Sequence, residues 1–228
     1  MWNHPSIGDA QHLAELPVLP LTRVVLLPGM TLPVNLHTPA ERALVDHVRS
    51  HGDRLGVPLA LQGAELPRVF TLARLLSHVH LVGDRRLIRV EGLGRVETVS
   101  ERPQRHLFRE FSVRPLGEAR PQDHRQQGIL RAQVERILAA GGESGVDLRA
   151  LLNVGDDRVF LYALTACLPV LELLPYRDGD AELDLDELAA VQQQSLAAAT
   201  ADDRTAVLIA RTAALLQSLA RPRRELLN

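Results

Sequence analysis

The 228-residue sequence contains no lysine, so all 26 of its Lys+Arg residues are arginine. This absence removes the serine–lysine peptidase dyad, the Walker-type phosphate loop and the pyridoxal Schiff base, each of which needs an amine that arginine cannot supply. Cysteine is nearly absent too. The single Cys167 can form no internal disulfide, and its place between Leu164 and Leu168 suits a core residue better than a nucleophile. No apolar run reaches the roughly 18 residues of a membrane span, and the opening MWNHPSIGDA has neither a basic segment nor a signal-like apolar stretch. No membrane is therefore expected, and the cytoplasm is the expected compartment. Neither sign of charge dominates: 26 basic against 28 acidic residues give a net charge of -2, which lends no support to a nucleic-acid-binding surface.

What is present is a globular composition, 46% hydrophobic, enough for one large core or two modest ones. Residues 16–36, LPVLPLTRVVLLPGMTLPVNL, hold four prolines and cannot form a helix. They predict short strands at Arg23–Leu27 and Thr31–Leu36 around a Pro28-Gly29 turn. Thr38, Pro39 and Glu41 then spell a helix start with a capping box, and Gly52 a stop. From Thr71 the apolar period becomes two. Gly83-Asp84 marks a hairpin turn, RLIRVEG the return strand and Gly92-Leu93-Gly94 a bend, with a last strand over Leu107–Val113. Beyond Arg120 the period is helical. Helices are expected over 125–139, over 157–168 with Pro169 as stop, from Asp184 or Leu185 to Ala198, and after Thr200. The fold class expected is α+β, with a twisted, mainly antiparallel β-domain of about six strands and one helix followed by a small helical subdomain. The expected divisions are a flexible 1–15, a β-domain at 16–119, helices at 120–221 and a tail at 222–228.

The stretches LPVLPLTRVVLLPGMTLPVNL at 16–36 and ELPRVFTLARLLSHVHLVGDRRLIRVEGLGRVETV at 65–99 resemble the substrate-binding N-terminal domain of bacterial Lon proteases and its free-standing relatives. Pro28-Gly29 matches the family's turn, and Glu91, Gly92, Leu93 and Arg95 match its EGL-R strand. The resemblance implies a PUA-like β-domain and a partner that is unfolded or degron-bearing polypeptide. A separate ATP-dependent protease is a candidate second partner. Without a GxxxxGK(S/T) loop or a lysine, neither ATP hydrolysis nor proteolysis is expected, and no catalytic residue, cofactor or metal is called for.

Among candidate sites, the apolar residues around the turn come first. Leu27, Met30, Leu32 and Leu36 do not all fit one buried face, and an apolar groove left on a β-domain would bind peptide. Arg85, Arg86 and Arg89 form a small positive set for an acidic partner, diluted by Asp84 and Glu91. His47 with His51, and His78 with His80, have metal-compatible spacings, but solvated pairs are the simpler reading. The acids Asp178, Asp180, Glu182, Asp184, Asp186 and Glu187 lack a calcium-loop pattern. A metal-dependent hydrolase using His78 or His80, or a regulator using the arginines, stand as the alternatives to polypeptide recognition.

Overall fold

The computed structural model describes residues 13–61, 63–83, 85–141, 148–174 and 183–220. The chain divides into two compact units, residues 1–118 and 119–228. Among the described residues the first holds six strands and one helix: β1 (Leu13–Val18), β2 (Thr31–Leu36), α1 (Pro39–Ser50), β3 (Arg54–Val57), β4 (Val69–His80), β5 (Arg86–Glu101) and β6 (Arg109–Pro115). The sheet order β2-β5-β4-β3-β1-β6, with a further β5–β6 pairing, closes five strands into a barrel. Every pairing is antiparallel except β1 with β3, which meet in parallel at Val18 and Gly56.

Two long strands serve two sheets. The C-terminal half of β5 pairs with β6 inside the barrel, and its N-terminal half pairs with β2 outside it. The bend expected at Gly92-Leu93-Gly94 lies within one continuous strand rather than between two. Leu72 faces Gly94 and Ala73 faces Gly92, so Leu93 is an extra residue, a bulge that re-aims the strand without ending it. Gly92 is required by close approach, because a Cβ there would lie 2.3 Å from the carbonyl oxygen of Leu27. That carbonyl closes the Pro28-Gly29 turn by accepting from Met30 N at 3.0 Å, and Gly29 takes the positive φ of 81° that a type II turn demands.

The first strand lies elsewhere than predicted. Arg23–Leu27 forms no strand: Arg23 turns into the left-handed region at φ 60°, and the Leu26 carbonyl accepts from the Thr71 hydroxyl at 2.5 Å. Leu26 and Leu27 are fully buried, so this run fills the interior rather than joining the sheet. The ladder position belongs to β1, which begins at Leu13, inside the segment expected to be flexible. Residues 1–12 lie outside the described residues.

The capping box of α1 forms as its sequence spells it. Thr38 Oγ1 accepts from Glu41 N at 3.2 Å, and Glu41 Oε2 accepts from Thr38 N at 2.8 Å. Leu44, Val45 and Val48 pack α1 on the outer sheet, in a cluster with Val34, Leu36, Leu75, Ile88 and Val90. A second cluster, Leu16, Val18, Phe70, Leu72, Val96, Phe111 and Val113, fills the barrel.

The second unit holds α2 (His124–Gly141), a 3₁₀ turn at Leu148–Asn153, α3 (Asp157–Leu173), α4 (Leu185–Ala197) and α5 (Ala201–Ala220). Pro169 does not stop α3, as its ring would be expected to. A proline cannot donate to the carbonyl four residues back, which here is Thr165. That carbonyl accepts from Gln192 Nε2 of α4 at 3.0 Å, and Thr165 Oγ1 lies 3.0 Å from Ser195 Oγ, so α4 supplies the partner that proline removes. Arg204 is fully buried, its guanidinium 4.4 Å from the Tyr162 ring centroid and its Nε donating to the Ser195 carbonyl at 3.0 Å.

Candidate functional site

On α1 the residues Ala40, Ala43, Leu44 and His47 follow the three-to-four spacing of one helix face. Two alanines leave room beside the helix, and the segment 104–109 forms the opposite wall. Together with Val18, Leu19 and Pro20 these elements enclose an apolar cavity of about 190 Å³, lined also by Glu41, Leu107, Phe108 and Arg109. Val18, Leu19, Leu44 and Phe108 are buried and form its floor, whereas Leu107 stands 67% exposed at the rim. A wider hollow of about 620 Å³ continues past Leu107 and Phe108 to His47, Gln104, Arg105 and His106.

This end is an imidazole cluster. His47 stacks on His51 at 4.0 Å and lies 5.1 Å from His106, which stacks on Phe108 at 4.9 Å. Buried Glu110 sits between, 3.9 Å from Nε2 of both His47 and His106. Burial, reinforced by His51 and His106, holds the His47 pKa below its ordinary value, outweighing the pull of Glu110 and Glu15. At neutral pH His47 is therefore an uncharged wall of the hollow. Among the described residues no three His, Cys, Asp or Glu side chains are grouped to hold a metal ion.

The residues expected from sequence distribute unevenly. Leu27 and Leu36 are fully buried core residues, 0% and 1% exposed, rather than part of an open apolar surface. Met30 and Leu32 are half-buried, packed against the cluster under α1. The arginine trio is split by strand alternation. Arg86 turns to the α1 face and pairs with Asp46 at 2.7 Å, Arg89 is exposed on the opposite face, and Arg85 donates to the Val82 carbonyl at the hairpin. His78 and His80 meet edge to face at 4.5 Å. Burial and the neighbouring His80, Arg49 and Arg86 lower the His78 pKa. Cys167 is half-buried, and burial raises its thiol pKa, the opposite of what a nucleophile needs. Of the acidic run, Asp178, Asp180 and Glu182 lie outside the described residues. Asp184 caps α4 by accepting from Asp186 N and Glu187 N at 3.0 Å, and Glu187 pairs with Arg211 at 2.5 Å.

The groove itself was not anticipated. Its helix face is readable in the sequence, but the Leu107-Phe108 wall reads as the start of a strand, and no pattern announces that 104–109 comes to lie along 40–47. His106 and Glu110 were missed for the same reason.

The fold and groove define a class: a small closed β-barrel with one covering helix and an apolar accessible cavity, continued in sequence by a helical unit. Residues 15–227 match the family described as the ATP-dependent protease La (LON) substrate-binding domain, and the chain belongs to that family. A stretch of 48 residues is 56% identical to the Lon protease of Salinispora arenicola (strain CNS-205), covering 20% of this chain and 6% of that protein. The N-terminal domain of Mycobacterium avium complex Lon protease superposes with a TM-score of 0.61 at 19% identity, covering 87% of this chain and 98% of that one. The Lon N-terminal domain protein from Xanthomonas campestris gives 0.60 at 20% identity, with the same coverages. These likenesses place the fold.

Proposed function

We propose that this protein recognises unfolded or degron-bearing polypeptide by taking apolar side chains into the groove between α1 and residues 104–109. The observation that carries this reading is Leu107, two-thirds exposed on the rim of a cavity whose floor is Leu19, Leu44 and Phe108. An exposed leucine beside an apolar cavity gains by covering, and a client side chain inserted there would bury both surfaces. Arg105 lines the wider hollow, which suits clients whose apolar residues are followed by acidic or polar ones, whereas Arg109 is already held by Glu101 at 2.6 Å. Met30 and Leu32 are the part of the sequence-expected set that a client could also touch. The role is binding without chemistry, and a separate ATP-dependent protease is the partner to which a bound client would pass.

The test is a fluorescence titration of the protein with a labelled, permanently unfolded polypeptide and with its native counterpart. Saturable preference for the unfolded form, reduced in Leu107→Asp, is the expected result. Equal binding of both forms, or an unaffected Leu107→Asp, would overturn the reading.

A further inference from the structure

The hairpin of β4 and β5 carries a second surface, on the opposite side of the outer sheet from α1. β3 pairs with β4 only from Thr71 to Arg74, and no described strand pairs with that side of β4 over Leu76–His80. This leaves an open strand edge. The other outer strand edge, on β2, carries Pro33, which has no amide to donate. The β4 edge has no such block, only a bulge at Leu76.

Register fixes what lies on each face. Val79 stands opposite Leu87, and Ser77 opposite Arg89, on the face turned away from α1. Val79, Leu81 and Val82 are exposed by 48%, 38% and 89%, an apolar strip at the hairpin end. Arg89 is exposed beside it, and among the described residues no carboxylate pairs with it. Glu91, the nearest acid on this face of β5, is held by Arg74 at 2.6 Å. Only the small Ser77 separates Arg89 from the open edge, a span of about 4.8 Å between strands that an arginine side chain crosses. Arg85 adds a second positive charge at the hairpin end.

We infer that the β4 edge is a docking site for an extended acidic–apolar segment of a partner protein, added as a strand beside Ser77–Leu81. Main-chain hydrogen bonds would hold the segment, an acidic side chain would meet Arg89 across Ser77, and apolar residues two positions along would cover Val79 and Leu81. Charge selects this occupant over a second copy of the chain, because a two-fold pairing of two such edges about Ser77 would bring Arg89 against its own duplicate. It favours protein over nucleic acid because the strip beside the arginines is aliphatic and offers no ring on which a base could stack.

The test uses the full chain and fluorescent twelve-residue peptides of alternating Glu and Val. The comparison peptides carry Lys in place of Glu, or backbone N-methylation at every second residue in either of the two registers. The Glu peptide should bind better than the Lys peptide, and Arg89→Glu should weaken it by about fivefold to tenfold while improving the Lys peptide. One N-methylated register should abolish binding and the other should not, as strand addition at a single edge requires. Leu107→Asp should leave this binding unchanged, which separates it from the groove. Equal effect of both N-methylated registers, indifference to Arg89→Glu, displacement by a single-stranded oligonucleotide in preference to the Glu peptide, or a chain dimer that the peptide dissolves would each overturn the inference.

Discussion

Replacing Leu107 by aspartate isolates binding from folding. Full burial of a leucine side chain stabilises by about 1.5–3 kcal/mol. Leu107 is 67% exposed in the folded chain, so folding collects roughly a third of that, at most about 1 kcal/mol. A client covering the remainder gains about 1–2 kcal/mol, and removing it should weaken binding about 5- to 30-fold. The aspartate adds a desolvation cost at the rim, which pushes the effect toward the upper end. The assay is a pair of measurements on the same preparations: affinity for an unfolded, labelled polypeptide, and the midpoint of urea unfolding. The groove account requires a large loss of affinity with a midpoint that moves little. A midpoint shift as large as the affinity loss would show that Leu107 supports the fold, and unchanged affinity would show that the rim touches no client.

Gly92→Ala should destabilise the β-barrel unit by several kcal/mol, about 3 or more, because the new methyl group meets backbone at 2.3 Å and neither β5 nor the Pro28-Gly29 turn can retreat cheaply; an unfolding midpoint equal to that of the parent would contradict the close-approach argument. Gln192→Leu should cost about 1–3 kcal/mol by leaving the Thr165 carbonyl without its partner, and the same change combined with Pro169→Ala should recover part of the loss as the helix restores its own bond; thermal melts of the two variants decide this. Lowering the pH from neutrality should weaken the fold through His47 and His78. The folded-state pKa values of His47 and His78 lie below their ordinary 6.5, so between that value and the folded pKa the unfolded chain binds protons that the folded chain does not. Stability present at pH 7.5 should therefore decline through pH 6, and His47→Gln should flatten the slope; a urea midpoint indifferent to pH across this range would refute it.

Much of the β-barrel unit was legible because its signals are local. Thr38, Pro39 and Glu41 spell a capping box that needs no tertiary partner, and Pro28-Gly29 spells a type II turn. Two errors arose where tertiary contacts override local pattern. The run Arg23–Leu27 has strand composition but spends its backbone on a side chain of β4, while Leu13–Glu15, expected within a flexible start, joins a strand because β6 offers it a ladder. Pro169 should end a helix and does not, since the compensating amide of Gln192 comes from another helix and lies 23 residues ahead in sequence, with no spacing rule to reveal it. The candidate site was read less well. Burial of Leu27 and Leu36 follows from which face of the turn and of β2 meets the core, and the apolar content of the sequence did not distinguish these residues from half-exposed Met30 and Leu32. The groove depends on two segments distant in the chain, Ala43–His47 and Gln104–Phe108, that only the barrel closure brings together.

Hydrogen exchange of the protein with and without a saturating unfolded polypeptide tests the central claim most directly. The groove account predicts slowed exchange confined to the first half of α1, residues 39–47, and to residues 104–109, with α2 to α5 unchanged. Protection confined to the helical unit, or no protection at the groove under conditions where the polypeptide is demonstrably bound, would contradict it.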